Sequence, residues 1–172
     1  FRATAWVNGD LEGLYLAVEV EKPEVVFRGA SAGPLRLDNE PDDIHSDGVQ
    51  VYVRVGELPE VGLLVVPTDD GRLRARATAG ARGGPELVTG AWQLLEEEDA
   101  DRMGYRLTFR IAIPELAALP PGASIDFDLL VNEMRSDRER RAGQLVWSGG
   151  DGWVYLRGDR HLPTEFGELA LR

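Results

Sequence analysis

The chain has 172 residues, 43% of them hydrophobic and 28% charged, with a formal net charge of -11 and no cysteine. That length supports one domain with a real core and is short for two, and the composition is that of a globular protein rather than a disordered tail. The acidic balance argues against nucleic acid, which is held by surplus Lys and Arg, and the missing cysteines remove disulfides, thiolate nucleophiles and thiolate-bound zinc.

No apolar run approaches the roughly 20 residues of a membrane span. The chain opens on FRATAWV, with no initiator methionine and no signal-peptide pattern, which predicts a processed protein or a segment of a longer one. Lysine occurs once, at Lys22, so almost all the positive charge is guanidinium. Guanidinium suits fixed, bidentate contacts better than an ammonium does.

Ala3 to Val7 reads as a short strand and Asn8-Gly9-Asp10 as a turn. The segment from Gly13 to Val20 is the first strong strand, and Lys22 to Asp47 is a long excursion rich in Pro, Gly and Asp. Loops of that length are uncommon unless functional or tied down. From Gly48 the chain alternates, with Val49, Val51, Val53 and Val55 on one side and Gln50, Tyr52 and Arg54 on the other, the period of a strand with one buried face. Gly62 to Val66 is the next strand. A Thr68-Asp-Asp-Gly71 turn then leads to Arg72–Thr78, whose three arginines share a side.

Glu86 to Glu97 reads as a strand with a charged end or a short helix, with strand favoured through Trp92, and Gly104 to Ile113 as the longest alternating strand, with Tyr105, Leu107, Phe109, Ile111 and Ile113 inward. Pro114 to Leu119 is helix-like, stopped by Pro120-Pro121-Gly122. Ser124 to Asn132 alternates again, with Asp126, Asp128 and Asn132 outward. Short strands at Gln144–Trp147, Trp153–Leu156 and Phe166–Leu171 close the chain. Many short alternating strands with one small helix predict an all-β antiparallel sandwich of jelly-roll type over residues 1–172, with a closed barrel as the alternative.

The face carrying Gln50, Tyr52 and Arg54 has Arg72, Arg74 and Arg76, and Asp126, Asp128 and Asn132, as prospective neighbours. If those faces adjoin, they form either a polar ligand site or a solvated lattice of Arg–Asp pairs. Trp147 and Trp153 flank the glycine-rich run 148–152, which can set two rings around a small ligand; the alternative places one or both in the core. Trp6 and Trp92 are expected in the core. The acidic loops 38–47 and 96–101 can supply carboxylate oxygens to calcium, with Asp42, Asp43 and Asp47 as the candidate ligands. His45 and His161 lack the close spacing of a zinc site, and no nucleophile elbow or phosphate loop occurs.

In order, ATAW…GLYLAVEV, the Asp47-Gly48-Val49-Gln50-Val51 strand after an acidic loop, YRLTFRIAIPELAAL, IDFDLLVNEM, Trp147 and the terminal PTEFGELAL resemble the family 9 carbohydrate-binding modules and the wider DOMON-like sandwiches. The resemblance implies a non-catalytic module of a secreted, periplasmic or cell-surface bacterial protein, attached to a carbohydrate-active enzyme and often carrying structural calcium. It also implies a terminal sugar clamped between aromatic rings, for which Trp153, Trp147 and His45 are the candidates, with Gln50, Tyr52, Arg74 and Asn132 on the hydroxyls. This chain departs from the family pattern at Ile44-His45, where a tryptophan is usual, and at Gln50, where glutamate is usual. The alternatives are a DOMON-like packing domain without a sugar site, or a haem-binding domain with His and Met ligands.

Overall fold

The computed structural model describes residues 1–27, 45–96, 103–137, 139–149 and 166–171. Among the described residues ten strands run in chain order: β1 (Arg2–Asp10), β2 (Gly13–Lys22), β3 (Gly48–Arg54), β4 (Val61–Pro67), β5 (Leu73–Ala77), β6 (Val88–Glu96), β7 (Met103–Ala112), β8 (Ser124–Glu133), β9 (Gly143–Val146) and β10 (Gly167–Ala170). They form two antiparallel sheets. One has the order β1-β2-β7-β6; the other has β10-β8-β3-β4-β5, with β9 also paired to β8. The fold is the predicted sandwich, not a closed barrel. The helix-like segment is a 3-10 helix, Pro114–Ala118, and no helix among the described residues is long and apolar enough to cross a membrane.

The alternation read from the sequence sets the inter-sheet core. Leu14, Leu16, Val18 and Val20 of β2 and Tyr105, Leu107, Phe109 and Ile111 of β7 face Val49, Val51 and Val53 of β3, Leu63 and Val65 of β4, and Phe127, Leu129 and Val131 of β8. Each fully buried side chain of this size contributes on the order of 1.5–3 kcal/mol relative to exposure.

Two departures follow from the same periodicity. Ala3 and Val7 of β1 pack toward the core, so Trp6 between them projects outward and is 53% exposed, not buried as expected. Trp92 does pack against the core, edge-on to Phe27 at 4.6 Å, with its indole N–H donating to the Thr68 carbonyl at 2.7 Å. On β3 both faces are covered: Gln50 and Tyr52 are as buried as the valines. Leu64 and Val66 of β4 form a second small apolar cluster beside them, away from the inter-sheet core. The outer face of this strand, read as either a ligand site or a solvated lattice of Arg–Asp pairs, is enclosed at Gln50 and Tyr52.

A candidate sugar-binding face on the second sheet

Strand register assembles the polar side chains that sequence reading could only list. Across the outer face of the second sheet, Tyr52 lies opposite Asp128, Arg54 opposite Asp126 and Gly48 opposite Asn132. Asn132 in turn lies opposite Gln144 of β9. On the other side of β3, Gln50 is opposite Leu64, which is opposite Arg76, while Val66 is opposite Arg74. Gly48 sits beside Val66: a Cβ at Gly48 would lie 2.6 Å from the Val65 carbonyl oxygen and 2.9 Å from a Val66 methyl, on a backbone with φ of 153°. Having no side chain, Gly48 leaves a floor of backbone and Val66 between Asn132 and Arg74.

The hydrogen bonds on this face are incomplete in an informative way. Gln144 Nε2 donates to Asn132 Oδ1 at 2.8 Å and to Gln50 Oε1 at 3.1 Å, and Arg141 Nη1 donates to Asn132 Oδ1 at 2.7 Å. Gln50 Nε2, Asn132 Nδ2, Gln144 Oε1 and Arg74 Nε are buried without a partner. Gln50 is 2% exposed and Asn132 0%. A buried polar atom left unpaired costs about 1–3 kcal/mol, so four on one face favour a ligand that pairs them. The face's carboxylates among the described residues are already engaged. Asp128 accepts from the Ser148 hydroxyl at 2.6 Å and from the Ser148 and Leu129 N–H groups, and Asp126 accepts from Arg54 Nε at 2.7 Å.

Tyr52 contributes a ring, tilted against Phe166 with centroids 5.5 Å apart. It is held beneath by Gly62, where a Cβ would come 3.0 Å from its Cε1 and 2.3 Å from the Thr78 hydroxyl oxygen. Gln50, Tyr52, Arg74 and Asn132 are thus brought to one face. Trp153, Asp42 and Asp43 lie outside the described residues.

Trp147 does not join them. Its N–H donates to the Leu129 carbonyl, continuing β9, and because Leu145 pairs with core-facing Val131, the same alternation turns Trp147 toward the inner side and Ser148 outward. The indole meets Phe127 edge-on at 5.5 Å and covers Gly167, where a Cβ would fall 2.5 Å from the ring. There, 51% exposed, it lines an apolar cavity of about 440 Å³ with Ala3, Ala5, Val7, Leu129 and Leu169 at the open edge of the sandwich. The sheet separates it from Gln50. His45 is also placed unlike an open platform, with only 3% of its surface exposed.

Asp47 corrects the calcium expectation at its own position. Its two carboxylate oxygens accept from Lys22 Nζ at 2.7 and 2.8 Å, from the Val26 N–H at 2.7 Å and from the Met134 N–H at 2.8 Å. Lys22 Nζ also donates to the Met134 carbonyl oxygen at 2.7 Å. An ammonium thus occupies the position at this carboxylate that a cation would take, and Asp47 does not fit a calcium ligand. Burial pushes the Asp47 carboxyl above its ordinary value, against the pull of Lys22 and the two backbone N–H groups. Among the described residues no cluster of three His, Asp or Glu side chains is arranged for a metal.

Sequence reading missed Lys22, Arg141 and Gln144. Lys22 had one signal, as the single lysine of the chain. Gln144 had the alternation of β9, and Arg141, in a charged loop, had none.

Two solved structures share this architecture. A family 9 carbohydrate-binding module from Caldicellulosiruptor kristjanssonii, solved in complex with glucose, superposes with a TM-score of 0.66 at 22% identity, covering 99% of this chain and 76% of the other. The chain has the family 9 carbohydrate-binding-module fold. A candidate carbohydrate-binding protein from Bacteroides uniformis shares the same sandwich, with a TM-score of 0.62 at 14% identity over 99% of this chain and 78% of its own. No family model matches the sequence, and no curated protein does. The family 9 fold is therefore legible in the backbone at identities where sequence comparison is silent.

Proposed function

We propose that this family-9-like sandwich is a non-catalytic carbohydrate-binding module, taking a sugar terminus or short oligosaccharide on the outer face of its second sheet. The observation that carries the reading is the set of buried, unpartnered polar atoms on Gln50, Asn132, Gln144 and Arg74 over the apolar floor of Leu64 and Val66. A pyranose offers hydroxyls to such atoms and C–H faces to such a floor. Tyr52, itself enclosed at 1% exposure, backs the face from β3, and Trp153 is the platform implied by the family resemblance. The fold shared with a glucose-bound module supports the same reading. An exported accessory role beside a carbohydrate-active enzyme accords with it, as does structural calcium at Asp42 and Asp43 without Asp47.

Isothermal titration calorimetry against mono- and oligosaccharides tests the proposal. Gln50→Ala and Asn132→Ala should each weaken binding roughly tenfold or more, because each strips a buried partner from the sugar. Trp147→Ala should leave the affinity within about twofold, since that ring lies across the sheet from the site. Far-UV circular dichroism checks that each variant keeps its strands. Loss of binding in Trp147→Ala with full binding in Gln50→Ala would place the ligand in the edge cavity instead.

A further inference from the structure

The amide orientations on this face are not arbitrary. A guanidinium can only donate, so the Asn132 atom 2.7 Å from Arg141 Nη1 must be the oxygen. The Gln144 atom 2.8 Å from that oxygen must then be its nitrogen, and the Gln50 atom 3.1 Å from that nitrogen must be an oxygen. Arg141 thereby sets the polarity of three amides in series. Among the described residues of this face, Gln50 Nε2, Asn132 Nδ2 and Arg74 Nε, all donors, are left unpaired together with one acceptor, Gln144 Oε1.

A neutral sugar hydroxyl donates as readily as it accepts, and a site made for neutral sugars mixes donors with carboxylate acceptors. This face does not. Asp128 is engaged by Ser148 and the Leu129 N–H, and Asp126 by Arg54. Gln50 holds the strand position as a neutral amide, and Arg74 is half-buried with its Nε unpaired. On the assumption that this face is the sugar site, we infer that its ligand is an anionic pyranose carrying a carboxylate, a hexuronic acid residue. The carboxylate oxygens would accept from Arg74 and the amide nitrogens, and a ring hydroxyl would donate to Gln144 Oε1. The pairing is donor to acceptor throughout, and the Arg74 bonds are charge-assisted. The overall charge of -11 does not oppose it at this range, because charges more than about 10 Å away are screened at ordinary ionic strength.

The test compares glucuronic and galacturonic acids with their methyl esters and with glucose and galactose, by calorimetry on the intact chain. Esterification keeps the shape and removes the charge. The acids should bind roughly tenfold or more tightly than their esters, and Arg74→Gln should erase that preference by weakening the acids roughly tenfold more than it weakens the esters. Gln50→Glu, which adds an anion to the face, should reverse the preference toward the esters. Equal or tighter binding of the neutral sugars by the unaltered chain overturns the uronate inference and leaves the sugar-binding reading intact. If neither class binds, the sugar-binding reading itself fails.

Discussion

Lys22 and Asp47 are 25 positions apart in sequence, yet their side chains meet with 2% and 0% of their surfaces exposed. A buried pair of this kind is a strong constraint and a weak stabiliser: replacing both partners can be neutral, while removing one strands a charge. Lys22→Met should therefore cost about 3–5 kcal/mol in urea unfolding, and adding Asp47→Asn should recover part of that loss. The recovery stays partial because Asp47 also holds the Val26 and Met134 N–H groups. The sign with pH follows. Burial already raises the Asp47 carboxyl, and Lys22→Met removes the ammonium that opposes this, so the folded variant holds its proton more tightly than the unfolded chain does. The deficit of Lys22→Met should be smallest below the ordinary value of 3.8 and grow as pH rises through the raised one. Unfolding curves of both proteins across that range measure it. At this scale Asp47 was visible in the sequence as a strand-initiating acid, but its partner was not. Nothing local distinguishes a carboxylate that binds calcium from one that binds a distant ammonium.

At the scale of elements, the β1–β2 hairpin shows how a turn is closed by one side chain. Asp10 Oδ1 accepts from the Glu12 N–H at 2.8 Å and the Gly13 N–H at 3.0 Å, and Oδ2 from the Tyr15 hydroxyl at 2.9 Å. These bonds, the Glu12 one foremost, hold the Asp10 carboxyl below its ordinary 3.8. A lowered carboxyl contributes stability that is fully present above the unfolded value and lost as pH falls through the folded one. Carboxyl-carbon NMR should find the Asp10 midpoint below 3.8, and Tyr15→Phe should move it back upward. The turn expected at Asn8-Gly9-Asp10 falls slightly later: those residues end β1, the turn is Leu11-Glu12, and Asp10 closes it because a short carboxylate reaches the backbone two and three residues on. The β8–β9 pairing was less legible. The four residues of β9 alternate too briefly to say which face Trp147 takes, and only register against β8 turns Trp147 inward and Gln144 outward.

Over the whole molecule, the second sheet is covered on both sides, which an alternating strand does not announce. Leu64 faces away from the inter-sheet core yet is 1% exposed, as enclosed as Leu107 at 0%. Leu64→Ala and Leu107→Ala should each cost about 2–5 kcal/mol in denaturant unfolding. A Leu64→Ala loss near zero would mean that the outer layer contributes no packing. The run GLLVV in β4 hinted at this double burial, since both its faces are apolar, while Gln50-Tyr-Arg54 in β3 suggested the opposite.

From the residues alone came the β class, most strand positions, the inward sets of β3, β7 and β8, and the short list of polar side chains on the outer face. Those follow from a two-residue period and turn chemistry, which are properties of neighbouring positions. The tertiary structure decided which of those side chains meet. It set Gln50, Asn132, Gln144 and Arg74 on one face, put Trp147 on the other, exposed Trp6, and gave Asp47 to Lys22. Such outcomes depend on strand order and register between segments dozens of residues apart, and a one-residue slip in register would reverse every face.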